Sequence, residues 1–164
     1  MNTVPVISIR RSAPFSPSTF LGAGWSVWRG PASGDGLAGT EEQEPQALKL
    51  QDVDFSKVLF EHTLTGNERW VKGDDKVARL RASGATMLDA AVAQALFEEK
   101  DNATLEWLRK ERGITWFDLP GTVLRDADGY RYILGLYWND GKWPWYPHWL
   151  ENNWRSNRPS AVLR

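Results

Sequence analysis

The sequence predicts an α+β domain in which three short helices precede a C-terminal antiparallel β meander. Three observations carry this expectation. Between Asp74 and Gly113 the apolar residues recur at helical spacing in three runs, each with start or stop signals. Beyond Ile114 the period falls to two, broken at intervals by Gly- or Pro-containing pairs. At 164 residues the chain is long enough to bury one core without metals or staples.

Taken in order, residues 1–18 hold Pro5, Pro14, Pro17, Arg10 and Arg11 without a sustained period and read as a flexible N-terminal arm or an edge strand. Residues 19–164 then form the single domain. Phe20 to Trp28 alternates bulky and small residues up to Gly30-Pro31, as a first strand would. Pro31 to Pro45, rich in Gly, Asp and Glu, reads as an exposed loop. Lys49 to Leu64 fits one or two strands. Asp74 caps a first helix that Ser83-Gly84 stops, and Asp89 caps a second with Val92, Leu96 and Phe97 on one stripe. A third starts at Asn102 or Thr104, turns Leu105 and Leu108 inward and ends at Gly113. Strands follow at Thr115 to Asp118, Thr122 to Arg125, Tyr130 to Trp138 and Lys142 to Trp149. Their separators are Pro120-Gly121, Asp126 to Gly129 and Asn139-Asp140-Gly141, the last being the sharpest hairpin signal in the chain. Ser160 to Leu163 reads as a closing strand.

Composition narrows the function. Twenty basic and twenty-one acidic side chains leave a formal charge of −1, which gives no overall attraction to duplex DNA. The absence of cysteine removes disulfides, thiolate nucleophiles and the usual structural zinc sites. No apolar run approaches a membrane span and no apolar signal core opens the chain, so the default expectation is a cytoplasmic protein of undetermined location.

Several motifs invite chemistry and are better explained otherwise. Gly34-Asp35-Gly36-Leu37-Ala38-Gly39 matches the dinucleotide fingerprint, but no strand leads in, no helix receives a phosphate, and Glu41, Glu42 and Glu44 would repel one. Asp126, Asp128 and Gly129 are half of a calcium loop without its distal glutamate; a turn explains them. His62 and His148 lack partners for zinc or nucleophilic chemistry. Asp118, Asp126, Asp140 and Glu151 could be paired on paper for glycoside hydrolysis, which requires a set carboxyl separation that spacing in sequence does not supply. The reading is accordingly non-enzymatic, with no cofactor and no metal.

The outlier is tryptophan, ten residues against four tyrosines, with Trp138, Trp143, Trp145, Trp149 and Trp154 crowded into one window. If these indoles form a buried frame, each hiding on the order of 200 Å², the interleaved positions are left for contact. Those positions, Asn139, Pro144, Tyr146, Pro147, His148, Asn152, Asn153, Arg155, Ser156, Asn157 and Arg158, carry the residue types of adaptable binding surfaces. They are the candidate ligand-binding residues, within a segment spanning about 139–158.

The chain resembles the variable (target) proteins of diversity-generating retroelements, in the form common among small-genome bacteria of the candidate phyla. The likeness runs from about Phe20 to Leu163. It rests on Phe20-Leu21-Gly22-Ala23-Gly24-Trp25 with Trp28-Arg29-Gly30-Pro31, Gly34-Asp35-Gly36-Leu37, the Asp74 to Leu80 helix start, Gly121-Thr122-Val123-Leu124-Arg125 and the ending Pro159-Ser160-Ala161-Val162-Leu163. In such systems an error-prone reverse transcriptase randomises template adenines. The tryptophan codon contains none, so the resemblance implies fixed indoles around varied neighbours, with Glu151, unreachable from an adenine-rich Asn codon, in the framework. It also implies a C-type-lectin-like scaffold and an unknown protein or other macromolecular ligand; the lectin calcium motif is not present. Two rivals are a constant carbohydrate or single-stranded nucleic acid binder stacking its ligand on exposed indoles, and a small hydrolase built on the acidic residues.

Overall fold

The computed structural model describes residues 5–13, 15–34, 36–39 and 44–164. Within them the chain is mixed α and β, organised on a mostly antiparallel sheet. The sheet grows from a long strand, β7 (Trp116–Arg125), paired antiparallel with β8 (Arg131–Tyr137), which pairs in turn with β9 (Trp145–Trp149). This is the expected meander. The closing strand β11 (Ser160–Leu163) returns to the other side of β7 and meets it in parallel, Ser160 opposite Asp118. On its far edge β11 pairs with β4 (Leu59–Glu61), giving the order β4-β11-β7-β8-β9, and Val162 and Leu163 also pair with the short β6 (Thr86–Met87).

Among the described residues there are five α-helices rather than three. The three expected ones are the longest: α3 (Gly73–Ala82), α4 (Ala90–Glu98) and α5 (Ala103–Arg112). Asp89 caps α4 by accepting from the Val92 amide at 3.3 Å, and Gly113 closes α5 in the left-handed conformation that a residue with a side chain resists. Two four-residue helices, α1 (Pro17–Phe20) and α2 (Pro45–Leu48), start at prolines whose fixed φ suits a first helical position.

Alternation along the strands divides the side chains between two faces. Phe117, Leu119, Leu124, Leu134, Leu136 and Ala161 meet α4 and α5 in the larger apolar cluster. Val123, Ile133 and Val162 point the other way and are covered by Val77 and Leu80 of α3 with Leu150 and Trp154. The second face supports the site described below.

Three expectations need correction. Of the two readings of the N-terminus, residues 5–13 take the strand and not the flexible arm: β1 (Val6–Ser8) pairs with β3 (Asp52–Asp54), Ile7 and Ile9 are buried, and Arg11 bonds Asp89 at 2.8 Å and the Ala47 carbonyl at 2.7 Å. Residues 1–4 and 14 lie outside the described ones. Phe20 to Trp28 yields only the two-residue β2 (Ser26–Val27), because α1 reaches Phe20 and the backbone turns at Gly22 and Gly24 with φ of 122° and 89°. Pro120-Gly121 does not separate two strands. It is a shift of register inside continuous β7, where the Gly121 amide donates to the Leu88 carbonyl at 2.7 Å and the crossing backbone of Met87 and Leu88 leaves no space for a side chain.

Candidate ligand-binding face

The tryptophan-rich window begins with a two-residue turn. Asp140 and Gly141 both take positive φ, 49° and 79°, and Asn139 and Lys142 exchange backbone hydrogen bonds across it at 2.8 and 3.0 Å. A positive φ at both central residues is the mirror-image turn whose twist matches a hairpin, which Asp-Gly allows at little strain. β9 then runs back along β8. Trp145 and Trp149 share the face of the larger cluster, Trp145 beside Phe20 at 5.8 Å and Trp149 edge-on to Tyr130 at 5.6 Å. Tyr146 and His148 take the opposite face.

From Leu150 the chain leaves the sheet and recrosses this second face to rejoin it at Pro159, whose carbonyl accepts from the Asp118 amide at 2.9 Å. Main-chain atoms hold the crossing in place. The Gly73 and Asp74 amides at the start of α3 donate to the carbonyls of Asn152 (3.2 Å) and Leu150 (3.3 Å). The Lys76 ammonium donates to the Arg158 carbonyl. β10 (Asn153–Trp154) pairs with β5 (Val71–Lys72). The Trp154 indole, with no exposed surface, donates to the Trp149 carbonyl at 3.1 Å and fills the space beneath the loop. Gly73 is required here, since a Cβ would lie 2.7 Å from the Leu150 carbonyl and 2.8 Å from the Trp154 indole nitrogen. Above these anchors Glu151, Asn152, Asn153, Arg155, Ser156 and Asn157 are exposed.

Beneath the loop lies a ladder of rings. Tyr137 stacks on Trp116 with centroids 5.0 Å apart, Tyr146 meets Trp116 edge-on at 5.3 Å, and His148 lies flat on Trp154 at 3.8 Å. Polar groups are buried among them. Asp118 is fully buried with its charge near Lys76, and His148 Nδ1 is 3.6 Å from its carboxylate, beyond hydrogen-bond reach. Burial drives the Lys76 pKa down from 10.5 to about 8, against the opposing pull of the Asp118 charge.

The structure therefore brings together Tyr146, Asn152, Asn153, Arg155, Ser156, Asn157 and Arg158, and separates the remaining candidates. His148 is only 5% exposed and packs as a core ring, so its expected contact role is corrected. Pro147 shares the face of Trp145 and Trp149 by strand alternation and is half-buried. Pro144 is half-buried at the entry to β9, where its carbonyl accepts from the Tyr137 amide at 3.2 Å. Asn139 is exposed but belongs to the hairpin tip. The indoles are likewise unequal: Trp143 and Trp154 are buried at 4% and 0% exposure, Trp145 and Trp149 are half-buried, and Trp138 is exposed.

The remaining motifs find structural roles. The Asp126 carboxylate accepts from the Asp128 and Tyr130 amides at 3.0 and 2.9 Å, building the β7–β8 turn. Asp140 lies in the turn at the other end of β8 and Asp118 in the sheet interior, so these acids do not converge. His62 is exposed, and its Nδ1 accepts from the Leu64 amide at 3.0 Å. Gly36 lies against the Trp28 indole, while Asp35 of the glycine-rich stretch falls outside the described residues. Among the described residues no group of three acidic or histidine side chains is placed to hold a metal, and no helix is long and apolar enough to cross a membrane.

No family model, curated protein or solved structure matches this chain.

Lys76, Trp116 and Tyr137 are site residues absent from the sequence-based candidates, and Asp118, weighed there only as a hydrolytic acid, joins them. One signal existed for Lys76, which occupies the apolar stripe Gly73, Lys76, Val77, Leu80 of α3, where a solvated lysine has no place. Another existed for Trp116 and Asp118, which alternate with the core residues Phe117 and Leu119 and so belong to the opposite face.

Proposed function

We propose that this chain is a non-enzymatic ligand-recognition protein. Its contact surface is the crossing from Asn152 to Arg158 together with Tyr146. The observation that carries this reading is the division of labour along the crossing. Its main chain is fixed by Gly73, Asp74, Lys76 and Trp154, while Asn152, Asn153, Arg155, Ser156 and Asn157 direct their side chains away from those anchors. The anchors from Gly73, Asp74 and Lys76 use only main-chain atoms of the crossing and do not depend on which residues stand there; Trp154 is the loop side chain on which the frame relies. A loop held this way pays little ordering entropy on binding, the advantage of preorganisation.

The same division supports membership among retroelement-diversified proteins and a C-type-lectin-like display scaffold. Trp154 and Trp143 belong to the invariant frame, and the exposed positions of the crossing, Glu151 excepted, are those reachable from adenine-rich Asn codons. Sequencing the gene's neighbourhood tests this. A near-repeat of the segment differing at adenines, beside a reverse transcriptase gene, is the expected finding; a locus with neither overturns the diversification reading. The stacking rival calls for a row of exposed indoles, and within the window only Trp138 is exposed.

A further inference from the structure

Three tryptophans carry an arginine guanidinium stacked over the ring close enough for cation–π attraction: Trp28 under Arg131 at 4.8 Å, Trp138 under Arg109 at 4.9 Å and Trp116 under Arg158 at 3.7 Å. Stacking occupies the face of the guanidinium and leaves its in-plane N–H edge free, the edge that matches a carboxylate. In two of the three cases the protein fills that edge itself. Arg131 donates through both terminal nitrogens to Asp74 at 2.9 and 2.7 Å, and Arg109 donates to Glu106 at 2.8 Å. Arg158, the most closely stacked, has no carboxylate partner among the described residues; its side chain bonds only the neighbouring Asn157 carbonyl at 3.2 Å.

We propose that the open edge of Arg158 is the receptor for a carboxylate of a protein partner, an Asp or Glu side chain seated beside Tyr137 and Tyr146. This rests on the reading of the loop as a contact surface. The setting is complementary to an acid. The Arg158 amide donates to the Arg155 carbonyl at 3.0 Å, closing a turn that brings a second exposed cation to the same corner. The buried Asp118 carboxylate is opposed by the charge of Lys76, which also holds the Arg158 carbonyl and so fixes the backbone from which the fork projects. Trp116, Tyr137 and Tyr146 supply the aromatic border that protein interfaces favour around a desolvated ion pair.

The test titrates the full chain, labelled with ¹⁵N, with N-acetyl-Glu-Tyr-amide and, separately, with the neutral N-acetyl-Gln-Tyr-amide and inorganic phosphate, following the Arg158 Nε–H and Trp116 indole N–H resonances. The expected result is saturable shifts with the Glu probe, weakened about tenfold or more for the Gln probe and by Arg158→Lys, which keeps the charge and loses the fork. Equal binding of the Glu and Gln probes, or an unchanged affinity in Arg158→Lys, overturns the proposal. So does phosphate saturating the same resonances more tightly than the Glu probe. Should the variant alter the fold, the Glu-against-Gln comparison on the unaltered chain decides alone. A template repeat at the locus combined with indifference to the carboxylate sinks this inference and spares the surface reading; carboxylate-selective binding at a locus without a repeat upholds both and removes only the diversification reading.

Discussion

Replacing Trp154 by alanine should be the most damaging single change in the C-terminal segment, although neighbouring positions tolerate replacement. The indole has no exposed surface. Truncating a buried tryptophan costs about 3 to 5 kcal/mol, from lost burial and the cavity left behind. Here the change also removes the 3.1 Å bond to the Trp149 carbonyl, the stacking with His148 at 3.8 Å and the contact with the Lys76 ammonium at 4.9 Å. The upper end of the range, about 5 kcal/mol, is therefore expected. For a chain of this length that lowers Tm by about 10 to 20 °C. Arg155→Ala, at an exposed position, should stay within about 0.5 kcal/mol. Urea unfolding followed by circular dichroism measures both. A Trp154→Ala cost under about 1.5 kcal/mol, or an Arg155→Ala cost of comparable size, would refute the idea that the loop rests on this indole.

Other consequences follow from the same contacts. Lys76 has a folded pKa of about 8 against an ordinary 10.5, so between those values the unfolded chain holds a proton that the folded chain has released. Unfolding free energy from this group is then lowest below pH 8 and rises toward pH 10.5 by up to about 3 kcal/mol; the gain should vanish in Lys76→Met, and parallel pH profiles of the two proteins would count against the assignment. Gly73→Ala places a methyl 2.7 Å from the Leu150 carbonyl, so the loop must move. Its effect should appear as amide exchange at Asn152 to Trp154 faster than in the unaltered protein, and unchanged protection there would contradict the anchor. Arg11→Ala strips the partner from Asp89, whose side chain is 3% exposed, and should cost about 3 to 5 kcal/mol by chemical unfolding; a loss under about 1 kcal/mol would return the N-terminal segment to the status of a loose arm.

What the sequence disclosed was mostly local. Asp89 and Gly113 mark helix ends through hydrogen bonds and backbone angles set within a few residues, and Asp140-Gly141 fixes its turn in the same way. Ser160 to Leu163 was readable as a strand, but not its insertion between β4 and β7, because the partners of Ser160, 42 and 99 residues away at Asp118 and Glu61, leave no periodic trace. Pro120-Gly121 misled because the pair usually signals a turn, whereas here the crossing backbone at Met87 and Leu88 demands a residue without a side chain. The site divided along the same line. Exposure at Asn152, Asn153 and Arg155 follows from the polarity of the loop, while His148 turned inward because Trp154, from a segment that folds back over β9, offers it a flat surface.

The most direct measurement randomises codons 152, 153, 155, 156 and 157 in one displayed library and codons 73, 76, 148 and 154 in another, then scores the fraction of clones resistant to protease. If main-chain anchors carry the loop, most members of the first library stay resistant and few of the second do. Similar survival in the two libraries would contradict that claim.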